Sequence, residues 1–141
     1  MLKDIASRFL LASLNIQAIL KETTIDRRRR RLRGMGNGLN LRDAYEATLE
    51  KVKAQGGDKA RLGMAVLMWI FYSWRPLQVD ELCHAIAIRI GSTDLESDDI
   101  PAISTLLGYC LGLVAVDKST STVRLIHFTL REYLFTSRPL W

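Results

Sequence analysis

Apolar residues recur at helical spacing through most of this chain and change to strand-like runs only near its end. From Asp4 to Lys21, residues Ile5, Phe9, Ala12, Ile16, Ile19 and Leu20 share one helical face. Leu10 and Leu14 form a second apolar strip, so this helix needs two neighbours. Thr23 or Thr24 can cap a short helix through the basic stretch that follows, ended by glycine. Gly34 to Gly38 reads as a loop. Asn40 caps a further helix with Asp43 at the box position, and Leu41, Tyr45, Leu49 and Val52 face inward. Gln55-Gly56-Gly57 stops it and marks a domain boundary.

Asp58 opens a helix over Lys59 to Ser73 that is apolar on nearly every side. The pattern predicts a central buried helix with Trp69 as a core anchor. Trp74-Arg75-Pro76-Leu77 breaks it, with Trp74 expected to pack at the corner. Val79 to Ile90 follows as a helix with Leu82, Ala85, Ile86 and Ile90 inward. After a polar loop, Ser97 or Asp98 caps a third helix that carries Pro101 in its first turn. Ile103, Leu106, Leu107 and Cys110 line its inner face. Two β-type runs, Leu113 to Val116 and Val123 to Phe128, flank a polar turn from Asp117 to Thr122. Thr129-Leu130-Arg131-Glu132 has capping-box spacing and opens a last helix to Thr136. Helix, hairpin, helix is the outline of a winged helix. The predicted fold is mainly α: a helical subdomain over 1–56, then a winged-helix domain over 57–141 with a small two-stranded β-wing.

Composition adds few constraints. Apolar residues make up 48% of the 141 and charged ones 25%, which suits a packed core and argues against disorder. No apolar run approaches the roughly 18 residues of a membrane span. The N-terminus lacks the pattern of a signal peptide, so a cytoplasmic location is expected. Cys83 and Cys110 sit in apolar helical contexts and read as buried, reduced thiols. With two histidines in the chain, a zinc site is not expected. Gly34 to Gly38 is no phosphate loop, because no Lys-Ser or Lys-Thr follows it and no strand precedes it. No other catalytic constellation is present. The chain is expected to be no enzyme and to hold no cofactor of its own.

The net charge of +5 is concentrated. Arg27, Arg28, Arg29, Arg30, Arg31 and Arg33 carry six positive charges, and without them the balance would be −1. Such a cluster can neutralise phosphates or meet an acidic partner; equally, it can be a solvated helix face. Like charges four apart, Arg27 with Arg31 and Arg29 with Arg33, weaken an isolated helix by a few tenths of a kcal/mol per pair. No aromatic residue interleaves them, which gives single-strand stacking no support. DNA reading through the third helix would need bases at its leading end, and Asp98 and Asp99 stand there instead. His84 reads as a rim or core residue. His127 stands at the end of the second wing strand beside a helix start. That position suits either an ordinary strand-end histidine or a phosphate contact.

Five motifs in order resemble the region that follows the nucleotide-binding core in NACHT-type STAND NTPases, especially fungal NOD-like proteins with ankyrin or WD repeats downstream. Arg8-Phe-Leu-Leu-Ala-Ser-Leu14 is similar to the family's "FLLAxLxLxxL" helix, and Gly38-Leu39 to Tyr45 to "GLxxxYxxxL". Trp69 to Leu77 with Asp80-Glu-Leu82 resembles "WIxxxxRPLxxxEL". Cys110 to Val114 and Val123 to Leu134 resemble "CxGLVxVD … VRLxHxSxxEYL". The chain departs from the pattern where Leu-Pro would precede Gly38, and its arginine run is denser. The resemblance implies a regulatory module that packs on an upstream ATPase core and holds the ADP-bound resting state closed. It implies that His127 touches the ADP phosphate when that core is present. The full-length parent would bind ADP or ATP. The implied partners are that core and the downstream repeats of the same polypeptide, with self-association on activation. The competing reading is a nucleic-acid-binding winged helix that uses Arg27 to Arg33.

Overall fold

The computed structural model describes residues 10, 13, 23–35, 41–88 and 97–137, the side chains of 31–35 and 97 excepted. The helix expected over Asp4 to Lys21, the Asn40 cap, Ile90 and the loop from Gly91 to Glu96 lie outside the described residues. The chain divides into two compact units, Met1–Thr48 and Leu49–Trp141.

The first unit contains helix α1 (Ile25–Met35) and the start of α2 (Leu41–Ala54). Thr24 caps α1: its hydroxyl oxygen accepts the Arg27 amide at 3.3 Å and its carbonyl the Arg28 amide at 3.1 Å. The helix runs through Gly34 to Met35 rather than stopping at the glycine. Along α2, Ala44, Tyr45, Thr48, Leu49 and Val52 are buried, as the inward face from Tyr45 to Val52 predicts. Thr48 returns its hydroxyl proton to the Ala44 carbonyl at 2.7 Å and so satisfies its own burial.

The second unit is built around α3 (Gly57–Tyr72). Gly56 and Gly57 have φ of 71° and 54°, a left-handed turn that separates α2 from α3. Gly63, Val66, Leu67 and Ile70 lie three and four apart and form the buried stripe of α3. This helix meets α4 (Val79–Ala87), α5 (Ile103–Tyr109) and strand β3 (Thr122–Leu125). Leu67 of this helix and Leu82, Leu106, Leu113 and Leu130 around it are fully buried. Each is worth about 2–5 kcal/mol against alanine.

The helix is central, but Trp69 does not anchor its core. Trp69 is 41% exposed, and Trp74 is wholly in solvent. The buried stripe takes only one side of α3, so the apolar residues opposite it reach the surface. The third helix also differs from expectation. Ser97–Asp99 form a single 3-10 turn, and α5 begins only at Ile103. Pro101 explains the gap, because its ring pushes Ile100 away from helical ψ.

The hairpin joins β2 (Val114–Asp117) to β3, with Val114 opposite Leu125 and Asp117 opposite Thr122. The Asp117 carboxylate holds the turn: it accepts the Ser119 hydroxyl at 2.6 Å and the Ser119 amide at 3.0 Å. These bonds, with Arg124 beside it, keep the carboxyl below its usual range. A third strand, absent from the predicted two-stranded wing, completes the sheet. This strand, β1 (Leu77–Gln78), pairs antiparallel with β3, giving the order β1-β3-β2. Two residues are too few to show alternation, and Pro76 fixes their extended entry. The last helix, α6 (Phe128–Ser137), buries Leu130 and Leu134. No helix among the described residues is long and apolar enough to cross a membrane.

Candidate functional site

Three chain segments converge on one cavity: the turn after α3, strand β3 and the first turn of α6. Trp74 and Pro76 force the chain out of α3, which carries Arg75 to the cavity's edge. Alternation along β3 buries Val123 and turns Arg124 outward. Leu130 and Leu134 fix the rotation of α6, which leaves Arg131 on its open side.

His127 links β3 to α6 and caps that helix. The Thr129 amide lies 3.4 Å from its Nδ1, and the Leu130 amide donates to its carbonyl at 3.1 Å. The Thr129 hydroxyl sits 2.8 Å from the same Nδ1. An amide can only donate, so Nδ1 carries the lone pair and the neutral ring keeps its proton on Nε2. The predicted capping box is therefore displaced. The helix opens two residues early, at Phe128 and not at Leu130, and Thr129 lies inside its first turn with its amide directed to the imidazole. The His127 ring also lies 4.5 Å from that of Phe128.

The cavity is about 190 Å³ and is lined by His127, Arg75, Arg124 and Arg131 among apolar side chains, with no carboxylate in its wall. The guanidiniums are held from behind. Arg75 makes a two-pronged pair with Glu81 at 3.2 and 3.0 Å. Arg124 lies 3.5 Å from Asp117, and Arg131 sits over the Phe71 ring at 5.7 Å from its centre. Fixed positive groups around a small apolar recess suit one anionic group, such as a phosphate or a carboxylate.

The residue matches run from Leu49, where the second compact unit begins. The profile described as GPI inositol-deacylase, winged helix domain, matches residues 49–138. The chain belongs to this family. No curated protein and no solved structure is matched by the chain. In the winged helix domain of this GPI inositol-deacylase family member, the cavity lies wholly within the matched residues.

The other sequence candidates lie elsewhere. Arg27, Arg29 and Arg30 are exposed on α1, and Arg28 is half-buried. Arg30 pairs with Asp26 at 2.9 Å, and the side chains of Arg31 and Arg33 are outside the described residues. Both cysteines are buried and form no disulfide, and His84 is exposed with its Nδ1 2.6 Å from the Asp80 carbonyl. Among the described residues, no three His, Cys, Asp or Glu side chains gather where they could hold a metal. Arg75, Arg124 and Arg131 were not singled out by sequence as companions of His127. They come from a turn, a strand and a helix, and no spacing relates them.

Proposed function

We propose that this winged-helix domain is the regulatory, interdomain module of a NACHT-type signalling NTPase. It holds the ADP-bound resting state and transmits its opening. The five ordered motifs support the family, and the basic cavity supports the role. His127 stands among three guanidiniums in a wall without carboxylates. Its Nδ1 is taken by Thr129, so Nε2–H is the nitrogen that can donate to a phosphate oxygen. The upstream core brings the ADP, and the chain alone is neither an enzyme nor a nucleotide binder. Its partners are that core and the downstream repeats. The nucleic-acid reading is weaker: the exposed residues of α5 are Ser104, Thr105 and Gly108, which offer no base to a groove.

One hydrogen bond to a charged oxygen is worth about 1.5–3 kcal/mol. If it forms only in the closed state, its loss shifts the closed-to-open ratio roughly 10- to 150-fold. The test is ADP dissociation from the full-length protein for wild type, His127→Ala and His127→Asn. Asparagine keeps a cap for α6 but is too short to reach the phosphate. Both variants are expected to release ADP faster and to raise basal signalling. Equal off-rates in folded proteins would remove the switching role, and acceleration by alanine alone would assign the effect to the cap.

A further inference from the structure

A guanidinium carries five N–H hydrogens in a planar fork, and at Arg75 three of them are accounted for. Nη1 donates to Glu81 Oε1 at 3.2 Å and to the Pro76 carbonyl at 3.3 Å, and Nη2 donates to Glu81 Oε2 at 3.0 Å. The Nε–H and the second Nη2 hydrogen remain. They lie side by side on one edge of the group, and among the described residues neither has a partner. The side chain is 66% exposed and lines the basic cavity together with His127. Glu81 is not in the cavity wall. It grips the opposite edge of the guanidinium, so the plane of Arg75 is set before any ligand arrives.

We propose that Arg75 is a second phosphate ligand beside His127, that the two together select a phosphate monoester, and that Glu81 is a positioning residue for Arg75. This rests on the phosphate reading of the cavity and names the group it takes, the terminal phosphate of a nucleoside diphosphate. The donors make the selection. The remaining edge of Arg75 matches two oxygens of one group, the two-pronged geometry that guanidinium favours. Nε2–H of His127 is a third donor. A terminal phosphate presents three acceptor oxygens, one for each hydrogen. A carboxylate or a phosphodiester has only two unsubstituted oxygens and leaves one donor empty. A cavity of about 190 Å³ is small enough for one group to meet both residues. Charge alone would select poorly, because Glu81 and Asp117 offset much of the charge of Arg75 and Arg124. Directed hydrogens therefore decide which anion is held.

The experiment titrates the 141-residue chain with methyl phosphate, dimethyl phosphate and acetate at pH 8, where the monoester is a dianion. Binding is followed by NMR at the ring of His127. His84, the second of the two histidines, is the reference, so anions gathered by the arginine run do not register. Methyl phosphate is expected to shift the His127 signal saturably, and the other two anions to bind at least about 10-fold more weakly, as the loss of one bond to a charged group implies. Arg75→Lys keeps the charge but replaces the fork by a point donor, and should weaken methyl phosphate about 10-fold with an unmoved melting curve. Glu81→Gln breaks the same ion pair but keeps the ligand edge, and should bind methyl phosphate at least as well as wild type. An unshifted His127, equal affinity for the three anions, an unchanged Arg75→Lys, or equal losses in Arg75→Lys and Glu81→Gln would each overturn the proposal. Equal ADP off-rates from full-length wild type and His127→Asn, with Arg75-dependent methyl phosphate binding intact, would remove the switching role and leave Arg75 as the ligand. Faster ADP release by His127→Asn beside an inert Arg75→Lys would do the reverse.

Discussion

The Cys110 thiol lies 3.8 Å from the Gly63 carbonyl in a site closed to solvent. Burial disfavours the thiolate and pushes its pKa from 9.0 up to about 12. Cys83 is raised as well, by burial and by Asp80. Because the thiolate is the reactive form, native chain at pH 8 should resist a disulfide reagent, and both thiols should react once denaturant is added. Rapid modification of Cys110 in the folded protein would show that its site opens. The folded state keeps the proton that the unfolded chain loses above about pH 9. The Cys110 contribution to stability should therefore be present below about pH 9 and be lost as pH rises toward about 12, by at most about 1.4 kcal/mol per pH unit for this one group. The burial of both cysteines was legible because each sits in an apolar helical stretch. The exposure of Trp69 was not: a helix apolar on every side does not reveal which side packs. Nor did the sequence announce His127 as a cap, since Thr129 and Glu132 carried the familiar signature.

At the scale of elements, α3 and α5 cross at a glycine. A Cβ on Gly63 would stand 2.8 Å from the Tyr109 carbonyl oxygen and 3.0 Å from a Val52 methyl. The same carbonyl accepts a 2.9 Å bond from the Gln55 side chain, so it cannot easily retreat. Gly63→Ala should destabilise the domain by about 1–3 kcal/mol, in spite of the better helix propensity of alanine. A denaturant midpoint at or above that of wild type would show that the crossing has slack. Most elements were readable from apolar spacing, including α2, α3 and the hairpin. The start of α5 was misjudged because Pro101 suits a first helical turn as well as it suits a break. Strand β1 owes its existence to β3, and its two residues carry no period of their own. The cavity around His127 was legible only in part, because the guanidiniums meet through the sheet and not through the chain.

For the molecule as a whole, the charge is lopsided. Six arginines over residues 27–33 account for more than the entire net charge of +5. Any nucleic-acid binding should run through them and be non-specific. If all six met phosphates, log affinity would fall against log salt with a slope of about −5. Replacing the six by glutamine should abolish the binding. Preference for one duplex sequence at physiological salt would instead restore α5 as a reading helix.

Strand β3 lies between β1 and β2, although it is the last of the three to be synthesised. Val123, which pairs with Leu77, follows it by 46 residues (123 less 77). At about 5–20 residues per second, the ribosome needs several seconds to make that stretch. During that interval β1 has no ladder, and α3 lacks its contact with β3. The domain is thus dependent on its own ending. A nascent chain stalled before Thr122 would present the apolar side of α3 to chaperones, with no partial sheet to shield it.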